Sequence, residues 1–209
     1  MTLKLTYFQL GMLPTNVYLG VNEETGNGFL VDPAVYEPQV EDVMKEIGIK
    51  NLQYILLTHG HFDHILGVNG FLKNHPEAKV VIHREDEAFL TDPVLSHTFK
   101  HGLTQEPIKA DIIVEDGDVL AFDDTEFKVV HTPGHTRGSV VYLLDDLMFS
   151  GDTLFQLSCG RTDFPESDPA AMGPSLQKLA ALEGNYHVLP GHNAFSELDY
   201  ERANNPFMR

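Results

Sequence analysis

Cysteine is almost absent. The single Cys159 in 209 residues excludes an internal disulfide and any cysteine-rich zinc module, so a metal held here would rest on His, Asp or Glu. Basic residues are also scarce. Fourteen Lys and Arg against 31 Asp and Glu give a formal net charge of −17, which opposes a phosphate backbone and an anionic membrane surface alike. No nucleic acid and no membrane partner is therefore expected. No window approaches the roughly 20 consecutive apolar residues of a membrane span. Gln9, Gly11, Pro14 and Asn16 interrupt the first twenty residues before a signal-peptide core could form, and the expected location is cytoplasmic. Low-complexity tracts, charge blocks and Pro/Gly/Ser linkers are missing too, which predicts a single domain over residues 1–209. What remains is a 42% apolar chain, enough for a sizeable core, with eleven histidines.

The apolar pattern alternates between short strands and helical stretches. Leu3–Leu10, Asn16–Val21 and Gly28–Val31 read as an opening strand meander, followed by a helix carrying Val40, Val43, Met44 and Ile47 at helical spacing, with Pro38 before it and Gly48 at its end. Leu52–Leu57 reads as a strand, Thr58–His64 as a polar loop and Ile65–Leu72 as a helix. Lys79–His83 predicts a strand and Arg84–Leu90 a short helix, while Thr91–Pro107 reads as a long irregular connection of the kind that covers binding sites. The second half repeats this outline. Strands are expected at Ile112–Val114, Val119–Phe122, Glu126–His131, Val140–Leu144, Leu147–Phe149 and His187–Leu189, with a helix over Ala170–Leu182 broken at Pro174.

Directly after Leu52–Leu57 stands Thr58-His59-Gly60-His61-Phe62-Asp63-His64. From this chain's own His and Asp frequencies, an H-x-H-x-D-H arises by chance about twice in a thousand such sequences. In an extended segment residues two apart project to one side, so His59 and His61 can chelate one ion, while Asp63 and His64 turn toward a second. Gly60 is expected to let the backbone bend tightly between the two histidines. His135, Asp152 and His192 share one context, each in a loop just beyond an apolar strand and each preceded by glycine. Five imidazoles and two carboxylates exceed one tetrahedral site. They divide into His59, His61 and His135 for one metal and Asp63, His64 and His192 for another, with Asp152 between. Two divalent cations would lower the pKa of a bridging water from 15.7 to near about 7, predicting metal-assisted hydrolysis. Zn is the expected metal, with Fe and Mn as alternatives. His75, His83, His97, His101, His131 and His187 lack such spacing and are expected to be structural or solvent-exposed, as is Cys159.

T-H-G-H-F-D-H, H-T-P-G-H-T-R-G-S, S-G-D-T-L-F and P-G-H, in this order from His59 to His192, resemble the metal motifs of the metallo-β-lactamase superfamily. The resemblance implies an α/β fold, a four-layer αβ/βα sandwich of two mixed sheets flanked by helices, with a dinuclear site on its edge and the ligand set just given. Leu154–Phe164 further resembles the hydroxyacylglutathione hydrolases, the type II glyoxalases, and Glu201–Phe207 is similar to the end of their short bacterial members. That implies hydrolysis of an S-2-hydroxyacylglutathione-type thioester, a small-molecule substrate. Asp63 and Asp152 would orient the nucleophile as catalytic residues, and Arg161 would bind a substrate carboxylate. Three departures stand out. Only 17 residues follow His192, so the C-terminal helical glutathione-binding domain of the full-length enzymes is not expected; Asp163 replaces an aromatic neighbour; and Asn193–Ser196 replaces a Gly-rich segment. A thioester suits the inventory because a thiolate leaves without a strong general acid, and no G-x-S-x-G elbow offers serine chemistry. The alternative is a persulfide dioxygenase-like oxidoreductase with one iron, which the full second ligand set opposes.

Overall fold

The computed structural model describes all 209 residues and builds them into two six-stranded sheets with helices on both outer faces. The first sheet places β1 (Leu3–Leu10), β2 (Thr15–Asn22), β3 (Asn27–Val31), β4 (Asn51–Leu56), β5 (Lys79–His83) and β6 (Ile112–Val114) side by side in that order. Its first pairs are antiparallel; those from β3 onward are parallel. The second sheet begins with β7 (Val119–Phe122), β8 (Thr125–His131), β9 (Val140–Leu144) and β10 (Leu147–Gly151). After a small hairpin of β11 (Leu154–Phe155) and β12 (Ser158–Cys159), β13 (His187–Pro190) pairs parallel to β10 and β14 (Ser196–Glu197) closes the edge. Both sheets are mixed, as the fold class requires. No helix is long and apolar enough to cross a membrane.

Strand alternation explains the layering. Leu30, Ile55, Val80 and Ile82 face outward onto α1 (Pro38–Glu46) and α3 (Val68–Asn74), through Val40, Met44 and Phe71. Their neighbours Phe29, Leu56 and Val81 face inward, where they meet Phe127, Tyr142 and Phe149 of the second sheet. On the far side Val141, Leu143 and Met148 bury against Leu176 and Leu179 of α4 (Pro169–Ala180) and Leu198 of α5 (Leu198–Asn204). A chain whose central strands are apolar on both faces needs a cover on each side, and the four layers supply it.

Several expectations are corrected. The helix read over Ile65–Leu72 is two pieces, α2 (Phe62–Ile65) and α3, so Asp63 and His64 ride on a helix rather than in a loop. The break falls at Gly67, whose N–H bonds Pro33 O at 2.7 Å and where a Cβ would lie 2.5 Å from that oxygen. Helix α4 is continuous through Pro174. Asp168 caps it through the Ala170 and Ala171 amides and Pro169 opens it, so Pro174 forfeits a single ladder bond. The 91–107 connection contains a 3₁₀ turn at Phe99–His101 and is sewn together by Gln105, which bonds Thr98 Oγ1 and Phe89 O, each at 2.8 Å. Strands β11, β12 and β14 and helix α5 have no counterpart among the elements expected from the sequence.

Candidate metal centre

The expected loops converge on one edge of the sandwich, where main-chain bonds tie the two sheets together. Val140 N donates to Thr58 O and Asn16 N to Gly191 O across the sheets, and Gly191 N donates to Gly151 O within the second sheet, all within 2.8 Å. Gly191 is required by what it faces: a Cβ there would fall 2.4 Å from Asp152 Oδ1 and 2.7 Å from His64 Cε1. Gly60 has a different reason from the one expected. Its φ is ordinary, and a Cβ would collide with Phe89 Cβ at 2.3 Å, so close packing rather than a tight bend selects glycine.

All seven sequence-predicted donors come together. The ligand atoms of His59, His61 and His135 lie within 4.8 Å of one another, as do those of Asp63, His64 and His192. His61 Nδ1 is 2.9 Å from His135 Nε2, and His64 Nε2 is 3.4 Å from His192 Nε2. Asp152 stands between them, with Oδ2 3.5 Å from His135 Nε2 and 3.7 Å from His192 Nε2, and Oδ1 3.6 Å from His64 Nε2. His59 Nε2 and Asp152 Oδ1 are buried without any hydrogen-bond partner, which in a folded protein marks a missing ligand.

Each imidazole presents one nitrogen inward because the other is already held. His59 Nδ1 contacts Thr58 Oγ1 at 3.2 Å, and that hydroxyl donates onward to Asp32 at 2.7 Å. His64 Nδ1 bonds Asp32 at 2.9 Å, His135 Nδ1 bonds Arg161 O at 2.8 Å, His192 Nδ1 bonds Pro14 O at 3.0 Å, and His61 Nε2 approaches Glu166 Oε1 at 3.3 Å. On a neutral ring an outward N–H leaves a lone pair pointing inward. For His61 and His135 those lone pairs meet at 2.9 Å, an arrangement that repels unless a cation lies between them. The residues present therefore fit a metal.

Electrostatics separates the two clusters. Burial pushes His135 down to about 4 and holds His59 well below the usual imidazole range, with neighbouring histidines adding to the effect. Burial also opposes charge on His64, yet Asp32, Asp63 and Asp152 hold its pKa up at about 10. Asp63 is buried, which favours its neutral acid, but His64 and His192 outweigh that and keep it ionised.

The outer carboxylates were not expected from the sequence. Asp32, at the end of β3 with φ +51°, supports His64 and the Thr58 amide and hydroxyl. Its signal was available: like Asp152, it is an acid just beyond an apolar strand. Asp86 is fully buried and accepts from Gly60 N, Thr136 Oγ1 and Gly138 N at 2.7–2.9 Å, binding the His59 loop to the His135 loop. Glu166 sits between His61 and His97, which is buried beside the site rather than remote from it. Arg161 reaches the rim, but its Nε and Nη2 both bond Asp163 at 2.6 Å while its guanidinium lies over Phe164. Lys100 and His101 share that rim, around a cavity of about 300 Å³ floored by His61, Asp63, His135 and Asp152.

A model of the metallo-β-lactamase superfamily matches residues 10–192. The chain is 30% identical over 193 residues to the hydroxyacylglutathione hydrolase GloC of Haemophilus influenzae, with 89% of each covered. Among solved structures it is similar to the BLEG-1 B3 metallo-β-lactamase, at 32% identity and a TM-score of 0.88 over 98% of this chain and 99% of that one. It is also similar to TTHA1623 in a di-iron-bound form, at 31% identity and a TM-score of 0.83 over 97% and 99%. With its histidine and aspartate clusters on the edge of an αβ/βα sandwich, the chain belongs to the metallo-β-lactamase superfamily, whose members are metal-dependent hydrolases.

Proposed function

We propose that this protein is a dinuclear metal-dependent thioester hydrolase acting on S-2-hydroxyacylglutathione-type substrates. The observation that carries the metal reading is the orientation of the five imidazoles, each tethered outward through one nitrogen and each turning the other toward Asp152, Asp63 or a neighbouring ring. His59, His61 and His135 would hold one cation, Asp63, His64 and His192 the other, with Asp152 shared. When bound, two divalent cations, zinc first and iron or manganese as alternatives, supply an acidified water and a centre that polarises a carbonyl. Asp63 and Asp152 accept hydrogen bonds from the attacking water and fix its direction as catalytic residues. The shallow cavity admits an acyl group over them, and the burial of the site strengthens each of these contacts. Lys100 and Arg161 stand at the mouth for a substrate carboxylate, Arg161 through the donors that Asp163 leaves free. Support for the substrate class is the 30% identity to the H. influenzae hydroxyacylglutathione hydrolase.

The test is metal quantification on purified protein with a parallel assay on S-lactoylglutathione. Two ions per chain with rapid thioester cleavage and no oxygen uptake on glutathione persulfide are expected. One iron per chain with rapid oxygen uptake would replace this reading by the persulfide dioxygenase. Negligible thioester turnover in fully metallated protein would remove the substrate class.

A further inference from the structure

Glu166 and His97 lie outside every donor set described above, yet both are packed onto one of its members. The ligand atoms of His61, His97 and Glu166 fall within 4.8 Å of one another. Glu166 Oε1 is 3.3 Å from His61 Nε2 and in closer contact with His97 Nε2, and its side chain is only 11% exposed. The two rings lie 4.9 Å apart, and Phe164 packs edge-on against both. A carboxylate between two imidazoles accepts from both, so each ring keeps its proton on Nε2 and His61 is left with its lone pair on Nδ1, the atom that faces His135.

This carboxylate and the His97 ring both come from loops. His97 belongs to the 91–107 connection and adopts φ +64°, a conformation a non-glycine residue holds only when its surroundings enforce it. Its neighbour Ser96 accepts from the Phe62 amide at 2.8 Å, at the start of the helix that carries Asp63 and His64. Glu166 lies in the turn before α4, where Ser167 Oγ donates to His135 O at 2.6 Å and Asp168 N to Gly134 O at 2.9 Å. The pair thus bridges the covering loop and the loop of His135.

Building on the proposed metal centre, we infer that Glu166 is the positioning residue for His61, fixing its Nε2–H tautomer so that Nδ1 faces the first cation, and that His97 latches the 91–107 loop onto the same carboxylate. Metal occupancy of the first cluster and order in that loop are then coupled. Glu166 touches neither substrate nor cation.

The test compares Glu166→Ala, Glu166→Gln and His97→Phe, all as full-length chains checked by circular dichroism. Imidazole ¹H–¹⁵N spectra of metal-free protein should show His61 as the Nε2–H tautomer in the wild type and in Glu166→Gln, which keeps an acceptor, and a tautomer mixture in Glu166→Ala. Zinc titration should show roughly 10- to 100-fold weaker binding of one of two ions in Glu166→Ala, the other unchanged. His97→Phe should retain the tautomer but speed amide exchange across 91–107. An unchanged His61 tautomer with both ions at wild-type affinity in Glu166→Ala would overturn the inference. Should Glu166→Ala fail to fold, Glu166→Gln and His97→Phe decide: a shifted tautomer in either, or unaltered loop exchange in His97→Phe, would overturn it. Failure of wild-type protein to bind zinc at all would instead refute the metal centre, and the His61 tautomer in metal-free protein would still decide the role of Glu166.

Discussion

The two donor clusters are similar in size and opposite in character. His59, His61 and His135 form a set with no charge of its own, whose outer supports are a hydroxyl, a carbonyl and a carboxylate carried by surface loops. Asp63, His64 and His192 carry a carboxylate and lean on Asp32, which is 2% exposed at the end of a central strand. In the first, burial holds His59 and His135 below the usual imidazole range; in the second, three carboxylates raise His64 against its burial. The contrast teaches that one donor cluster is shaped by geometry and the other by charge. Four experiments put it to the test.

The largest effect is expected from removing an inner donor. His59→Ala should lose metal from the first cluster and more than about 100-fold in thioester turnover, beyond what loss of an outer partner costs. Near-normal turnover with full metal content would contradict the assignment. Next comes the outer carboxylate of the other cluster. Asp32→Asn should weaken one ion by roughly 10- to 100-fold, seen by competition with a chromophoric chelator, and weaken the first cluster, which it reaches only through the Thr58 hydroxyl, by less. Equal weakening of both ions would erase the distinction.

Proton competition gives the third. His64, raised to about 10 in metal-free protein, must surrender its proton to a cation, so affinity at the second cluster should climb roughly tenfold per pH unit toward that value and then level off. His135, lowered to about 4, and His59, held well below the usual imidazole range, carry no competing proton at neutral pH, so affinity at the first cluster should climb less steeply with pH than at the second. Two parallel slopes in calorimetric titrations from pH 6 to 9 would contradict this. The smallest effect belongs to the rim. Asp163→Ala frees the Arg161 fork, and since exposed ion pairs are worth at most about 1 kcal/mol, KM for a carboxylate-bearing thioester should fall by no more than about fivefold. A rise in KM would mean that Asp163, not Arg161, meets the substrate.

The inner donors were legible because chemistry and spacing coincide in a short segment and recur beyond apolar strands, and Lys79–His83, Ile112–Val114 and Val140–Leu144 were legible because both faces of these strands are apolar. The outer carboxylates Asp86 and Glu166 were not. Asp86 acts on Gly60 and Gly138 from a distance of 26 and 52 residues, and Glu166 meets His97 only because two loops fold over the same edge. No local periodicity encodes such meetings. The same holds for Glu201, buried at the C-terminal end, which accepts from Leu157 N and Asn205 and pins the β11–β12 hairpin. Pro174 misled for the opposite reason: the local rule was sound, and packing of Leu176 and Leu179 on the second sheet outweighed it.

The most direct measurement is a crystal structure of zinc-loaded protein with anomalous data collected at the zinc edge. Two peaks roughly 3.5–4 Å apart, one within bonding reach of His59 Nε2, His61 Nδ1 and His135 Nε2 and the other of Asp63, His64 and His192, are expected. Crystals soaked in excess zinc that show no peak between these side chains, or a single ion bound elsewhere, would contradict a paired cation site.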